Sequence, residues 1–124
     1  MPKAATSSSQ LSSQELLEQL PPCPVETTLT LISNRWRVLI LRDLMDGPRR
    51  FTQLKRSIGG ISQKVLTQNL RAMEADGILT RTVFPEVPPH VEYELTDLGR
   101  SLKPILDALK DWGEGYKHQL ASAE

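Results

Sequence analysis

The chain is poor in the residues that build metal sites, disulfides and stacking surfaces. Cys23 is its one cysteine, and His90 and His118 are its two histidines. No intrachain disulfide can form, and no cluster of ligands at a known metal-binding spacing can be assembled. Aromatics are as scarce, two each of Trp, Tyr and Phe, and Trp36 and Trp112 fall at helical core spacing. That disfavours a surface that stacks single-stranded bases. No apolar run reaches the roughly 20 residues of a membrane span, and the opening MPKAATSSSQ lacks the apolar core of a signal peptide. A cytoplasmic protein with no membrane partner is expected. Paired carboxylates in a pocket-forming context, a Gly-rich phosphate loop and a zinc-protease helix are also missing, and Gly59-Gly60 reads as a turn. Neither catalysis nor a cofactor is expected.

What the 124 residues do contain is one domain's worth of core and an uneven charge distribution. Net charge is zero, yet residues 35–82 hold ten basic residues against four acids, an excess of six. The preceding stretch has one base against three acids and the following stretch four against eight, which cancels the excess. A basic middle between acidic flanks suits a molecule with one face toward a polyanion.

Within that middle, residues 61–77, ISQKVLTQNLRAMEADG, read as a helix with two unlike faces. At 100° per residue Leu66, Leu70 and Met73 form one stripe, flanked by Val65 and Ala72, while Gln63, Lys64, Thr67, Gln68 and Arg71 point away. Ser62 stands at the N-cap and Gly77 at the C′ position. A Gln, Lys, Thr, Gln, Arg face matches base edges and phosphates, although an ordinary solvated face carries the same residues. Its neighbours decide.

Residues 1–10 are Ser-rich and read as a disordered tail. Ser12 and Glu15 form a capping box for a short helix with Leu16, Leu17 and Leu20 along one edge, stopped by Pro21-Pro22. Cys23 is read as the N-cap of a helix that opens with Pro24 and carries Val25, Leu29 and Ile32 at helical spacing. A further helix from Arg35 is expected to bury Trp36, Leu39, Ile40 and Leu44 and to end at Gly47-Pro48. Arg49 and Arg50 lead into a short helix with Phe51, Leu54 and Ile58 inward, and Gly59-Gly60 turns into the polar helix. That order is a helix-turn-helix. Leu79 to Phe84 and then Val91, Tyr93 and Leu95 in alternation give two strands, with the proline-rich residues 85–90 between them as a wing. Thr96 caps a last helix in which Leu98, Leu102, Ile105, Leu109, Trp112 and Tyr116 form an apolar seam, and Pro104 should kink or restart it. So long a seam on so small a domain calls for a partner helix.

With these residues in place the chain resembles the HxlR family of bacterial winged-helix regulators, relatives of the MarR group. The likeness covers residues 23 to about 113. It rests on Cys23-Pro24-Val25, Arg35-Trp36, Arg50-Phe51 with Leu54, Gly60-Ile61-Ser62 with Leu66-Thr67, Leu70-Arg71, Asp76-Gly77, Arg81 and the string PPHVEYELTDLG at residues 88–99. The resemblance implies a homodimer on a pseudo-palindromic duplex operator, recognition helices in successive major grooves, wings outside them, and in many members a small-molecule or redox signal. His90 stands where the family often has arginine, which weakens a wing contact there or makes it pH-dependent.

The expected architecture is mainly α with a small β-hairpin, a winged helix-turn-helix with N- and C-terminal dimerisation helices. Residues 1–20 hold the tail and short helix, and residues 21–124 the DNA-binding domain and its C-terminal helix. Ser62, Gln63 and Lys64 lie where helix amides attract phosphate, and Thr67, Gln68 and Arg71 lie within reach of bases. Arg49, Arg50, Lys55 and Arg81 are assigned to phosphate and His90 to the wing contact. Leu16, Leu20, Leu102, Ile105, Leu109, Trp112 and Tyr116 are assigned to dimerisation. Cys23 has two readings, a thiolate favoured by its helix N-terminus that responds to oxidants and electrophiles, or a small residue packed beneath the dimer interface. A winged helix that binds protein through the same polar face is the alternative function, which the basic middle argues against.

Overall fold

The structure is a computed structural model that describes residues 12–32 and 34–123. The tail expected at residues 1–10 lies outside the described residues. Helix α1 (Ser13–Gln19) has the expected capping box: the Glu15 amide donates to Ser12 Oγ at 3.1 Å and the Ser12 amide to Glu15 Oε1 at 2.8 Å. Helices α2 (Pro24–Ile32) and α3 (Arg35–Leu44) follow, then strand β1 (Arg49–Arg50), α4 (Phe51–Ile58), α5 (Gln63–Ala75), β2 (Leu79–Phe84), β3 (His90–Leu95), the single turn α6 (Asp97–Arg100) and α7 (Lys103–Ser122).

The core sits where α3, α4 and α5 meet the sheet. Ile40, Leu41 and Leu44 come from α3, Leu54 from α4, and Leu66, Leu70 and Met73 from α5; Ile32, Ile61, Ile78, Leu79, Tyr93, Leu95 and Leu102 complete it. Burying each such aliphatic side chain contributes about 1.5–3 kcal/mol against leaving it in water. The stripe expected on α5 is thus the face that anchors it. On α3 the reading needs adjustment: Leu41 is fully buried, whereas Leu39 and Trp36 are half-buried. Trp36 packs against the edge of the core, and the Arg35 guanidinium covers its ring from 4.5 Å.

Three features go beyond the sequence reading. The hairpin is part of a three-stranded antiparallel sheet in the order β1-β3-β2, with Arg49 opposite Tyr93 and Arg50 opposite Glu92. Two consecutive arginines show no alternation of polar and apolar residues, so β1 carries no sequence signal of its own. Val25 and Leu29 keep helical spacing but face outward, 68% and 49% exposed, and Ile32 is the α2 residue of that set that reaches the core. The last helix is broken: α6 is one turn, and α7 restarts at Lys103 with Pro104 in its first turn, the restart being one of the two outcomes expected of that proline. Because the break interrupts the helical period, Leu102 turns inward and is only 6% exposed, a core residue and not part of the exposed seam.

The restart is held against the root of the hairpin. The Thr96 hydroxyl accepts from the Gly99 amide at 3.1 Å and donates to the Gly77 carbonyl at 2.6 Å, and the Thr96 amide donates to the Ile78 carbonyl at 3.0 Å. Gly99 packs so closely on that same carbonyl that a Cβ there would lie 2.3 Å from the Ile78 oxygen.

Candidate nucleic-acid interface

Both ends of α5 are fixed by local hydrogen bonds. Ser62 Oγ accepts from the Val65 amide at 3.1 Å. At the other end Gly77, at φ +81°, lets its own amide donate to Glu74 and the Ile78 amide reach back to Met73 at 2.9 Å. This is a Schellman closure, and the left-handed φ is why glycine stands there. Between these caps Gln63, Lys64, Gln68 and Arg71 are exposed and Thr67 is half-buried, while Leu66, Leu70 and Met73 lie on the core. Gly59 and Gly60, both at positive φ, make the turn that carries α4 into α5.

The basic excess divides once partners are known. Arg37 and Arg42 are neutralised, by Asp76 at 2.8 Å and by Asp43 at 2.9 Å. Among the described residues Arg35, Arg49, Arg50, Lys55, Arg56, Lys64 and Arg71 of the basic segment form no ion pair, so most of its free positive charge lies on β1, α4 and α5, with Arg35 at the start of α3. Arg56 belongs to that set by position; as one more basic residue on a short helix it had no distinguishing sequence signal. Arg49 is half-buried in β1 and donates to the Pro48 carbonyl at 3.0 Å. The Arg50 amide donates to Gln53 Oε1, leaving its guanidinium exposed at the start of α4.

Arg81 projects from β2 toward α5, its Nε 3.8 Å from Glu74 Oε1, too long for more than a weak pairing. Burial pushes the Tyr93 hydroxyl above its ordinary pKa; the Arg81 and Arg71 guanidiniums act against that rise, which puts both within electrostatic reach of β3.

His90 does not occupy the position expected for a wing contact. Its side chain is 13% exposed, stacked on Phe84 with ring centroids 4.7 Å apart, and its Nδ1 and Nε2 lie 3.3 Å from Glu86 and 3.2 Å from Glu92. Two carboxylates hold the imidazole, and residues 85–89 include no cation. Arg81, at the root of the hairpin, is its one basic residue.

The remaining assigned residues lie elsewhere. Leu16 and Leu20 on α1, and Ile105, Leu109, Trp112 and Tyr116 on α7, are exposed, and the Trp112 and Tyr116 rings stack at 5.4 Å. Leu17 and Leu120 join them. Cys23 is exposed in the protomer; its carbonyl accepts the first α2 hydrogen bond, from Thr27 at 3.0 Å, as an N-cap residue does. Among the described residues no helix is long and apolar enough to cross a membrane.

Residues 31–121 match the family described as HxlR-like helix-turn-helix. The HTH-type transcriptional regulator YdeP of Bacillus subtilis is 45% identical over 102 residues, which cover 82% of this chain and 80% of that protein. Among solved structures the redox regulator HypR in its reduced form aligns with a TM-score of 0.76 at 44% identity, over 81% of this chain and 99% of that one. The reduced regulator YodB of B. subtilis aligns at 0.67 and 38% identity, over 76% and 93%. The chain belongs to the HxlR-like helix-turn-helix family and is a transcription regulator, not an enzyme.

Proposed function

We propose that the protein is a homodimer that binds a pseudo-palindromic duplex operator, with α5 in the major groove and the hairpin along the flanking backbone. The observation that carries this reading is the face of α5: Gln63, Lys64, Gln68 and Arg71 are exposed, and no carboxylate neutralises Lys64 or Arg71 among the described residues. In this reading Ser62, Gln63 and Lys64 meet phosphate at the helix N-terminus, and Thr67, Gln68 and Arg71 meet base edges. Arg49, Arg50, Lys55 and Arg81 meet phosphate. The wing's cation is Arg81 at its root, so His90 drops out as a phosphate contact.

The exposed leucines of α1 and the α7 face of Ile105, Leu109, Trp112 and Tyr116 form the dimer interface. Pairing them spaces two α5 helices by about one helical turn of DNA, roughly 34 Å. Cys23 is the sensing position: an exposed thiol at a helix N-terminus is accessible to oxidants and electrophiles, and two structural relatives, HypR and YodB, were solved in more than one redox or treatment form.

A salt series tests the DNA reading. Arg49, Arg50, Lys55, Lys64 and Arg81 give five phosphate contacts per protomer, so a dimer releases counterions from up to about ten phosphates and log K falls with log salt at a slope near −9. Binding to duplex that is independent of salt would overturn it in favour of a protein-binding module. Sedimentation showing a monomer at micromolar concentration would remove the dimer. For the sensor, Cys23→Ser must abolish release of DNA by quinones, aldehydes or disulfide reagents; unchanged release would disprove it.

A further inference from the structure

The N-terminal turn of α3 reaches α5 at two points, both polar and both on one side of that helix. Asn34, the N-cap of α3, accepts from the Arg37 amide at 2.8 Å and donates through Nδ2 to Asn69 Oδ1 at 3.2 Å. Asn69 in turn donates to the Val65 carbonyl at 2.9 Å, which fixes its amide. One turn along α3, Arg37 Nη1 donates to the Leu31 carbonyl at the end of α2 at 3.2 Å and to Asp76 Oδ2, the C-cap of α5, at 2.8 Å. The Arg37 side chain is 12% exposed, so this is a guanidinium largely removed from water and matched to one carboxylate.

Asn69 and Asp76 are seven residues apart, roughly 10 Å along the helix and within about 20° of the same azimuth. Leu66, Leu70 and Met73 hold α5 on the core, but apolar burial is non-directional and resists rotation about the helix axis weakly. Two hydrogen-bonded points on one line resist it strongly. The base-reading side chains need that restraint. At a radius of about 6 Å a 15° rotation carries a side chain about 1.5 Å, more than a bidentate contact tolerates.

We infer that Arg37 and Asn34 are positioning residues for sequence reading: acting through Asp76 and Asn69, they set the rotation of α5 about its own axis. The inference rests on the proposed DNA-binding function. It assigns to Arg37, one of the ten bases of the central segment, a role in discrimination and none in phosphate contact. Asp76 becomes a residue whose charge matters although it faces no DNA.

The test compares two affinities of the intact protein at one salt concentration, for a duplex enriched by this protein from a random-sequence pool and for random duplex. Arg37→Met keeps the apolar stem and removes the fork; Asp76→Asn keeps the cap and removes the charge. Each is expected to lower the ratio of the two affinities by about tenfold, the scale of one misaligned base contact, with random-duplex affinity within about twofold of wild type. A partly unfolded population would scale both affinities alike and leave the ratio unchanged, which separates positioning from mere stability. Arg37→Lys restores part of the ratio, because an ammonium still reaches Asp76, and the Arg37→Met/Asp76→Asn double variant loses no more than either single one. Asp76→Asn carries the test if Arg37→Met does not fold, since Asp76 is less buried. An unchanged ratio in the folded variants would overturn the inference. Wild-type protein that enriches no sequence would instead fail before any substitution is made, removing the DNA-binding reading and this assignment with it.

Discussion

Replacing Gly99 with alanine should dislodge the whole C-terminal helix although it adds one methyl group. The new Cβ would stand 2.3 Å from the Ile78 carbonyl oxygen and 3.1 Å from Leu95 Cδ2. Ordinary van der Waals contact begins near 3.4 Å, so α6 must retreat by the difference, 1.1 Å. The obstacle is backbone at the root of the hairpin, which no rotamer change relieves. If α6 retreats as a unit, the Thr96 amide to Ile78 carbonyl bond lengthens from 3.0 Å to about 4.1 Å, beyond hydrogen-bonding distance. The overpacking costs about 1–3 kcal/mol. The lost hydrogen bond adds about 0.5–1.5 kcal/mol, and the better helix propensity of alanine returns about 0.5–1 kcal/mol. The net loss is about 0.5–4 kcal/mol. Denaturant titration at fixed protomer concentration reads it as a lower midpoint at unchanged slope, and thermal unfolding as a fall of roughly 4 °C per kcal/mol. A variant within about 0.5 kcal/mol of wild type would refute the packing described at the α6 turn.

Other outcomes follow from the same structure. Glu15 is held below its ordinary pKa of 4.5 by its hydrogen bonds to the Ser12 amide and hydroxyl; its folded value being the lower one, its contribution is full above 4.5 and disappears as pH falls through that lowered value. The helical signal of α1 should fade in that acid window in wild type and show no such step in Glu15→Gln, as measured by circular dichroism. Leu109→Glu places a charge on the α7 seam and should convert a sedimenting dimer to monomer without unfolding the winged helix, since Leu109 is exposed in the protomer. Arg81→Ala should reduce the magnitude of the salt slope of duplex binding by about one per protomer, whereas His90→Ala should leave it unchanged. An equal loss from His90→Ala would mean that the wing engages DNA through the imidazole after all.

How much of this could be read in the sequence depended on how local each signal was. The caps of α1 and α5, the Gly59-Gly60 turn, the apolar stripe of α5 and the alternation in β3 each occupy a few adjacent residues, and each is found where expected. The features that were missed turn on contacts that no short sequence pattern states, some distant in sequence and some close by. Arg49 and Arg50 form a strand only because Tyr93 and Glu92 lie opposite them. Leu102 looked like one more residue of a helical seam, and the break beside Pro104 turned it into the core. Arg37 counted as one charge of a basic patch, and its pairing with Asp76, 39 positions away, removed it from that patch and gave it another task. His90 reads as a weakened or pH-dependent wing contact, and Glu86 and Glu92 stand at its two nitrogens. Of the candidate site, then, the α5 face was legible from periodicity, but which basic residues remain free to meet a polyanion depended on where the carboxylates fold.

The central claim is that the exposed face of α5 reads base sequence, and the most direct measurement is discrimination. Reduced protein is titrated against a labelled fragment from upstream of its own gene and against random duplex at one stated salt concentration, then again as Arg71→Ala. The account predicts that wild type prefers the fragment by roughly a thousandfold and that Arg71→Ala loses about 1–3 kcal/mol on the fragment with far less change on random duplex. Equal losses on both would show Arg71 to be a phosphate contact, and absence of duplex binding even at low salt would contradict the account.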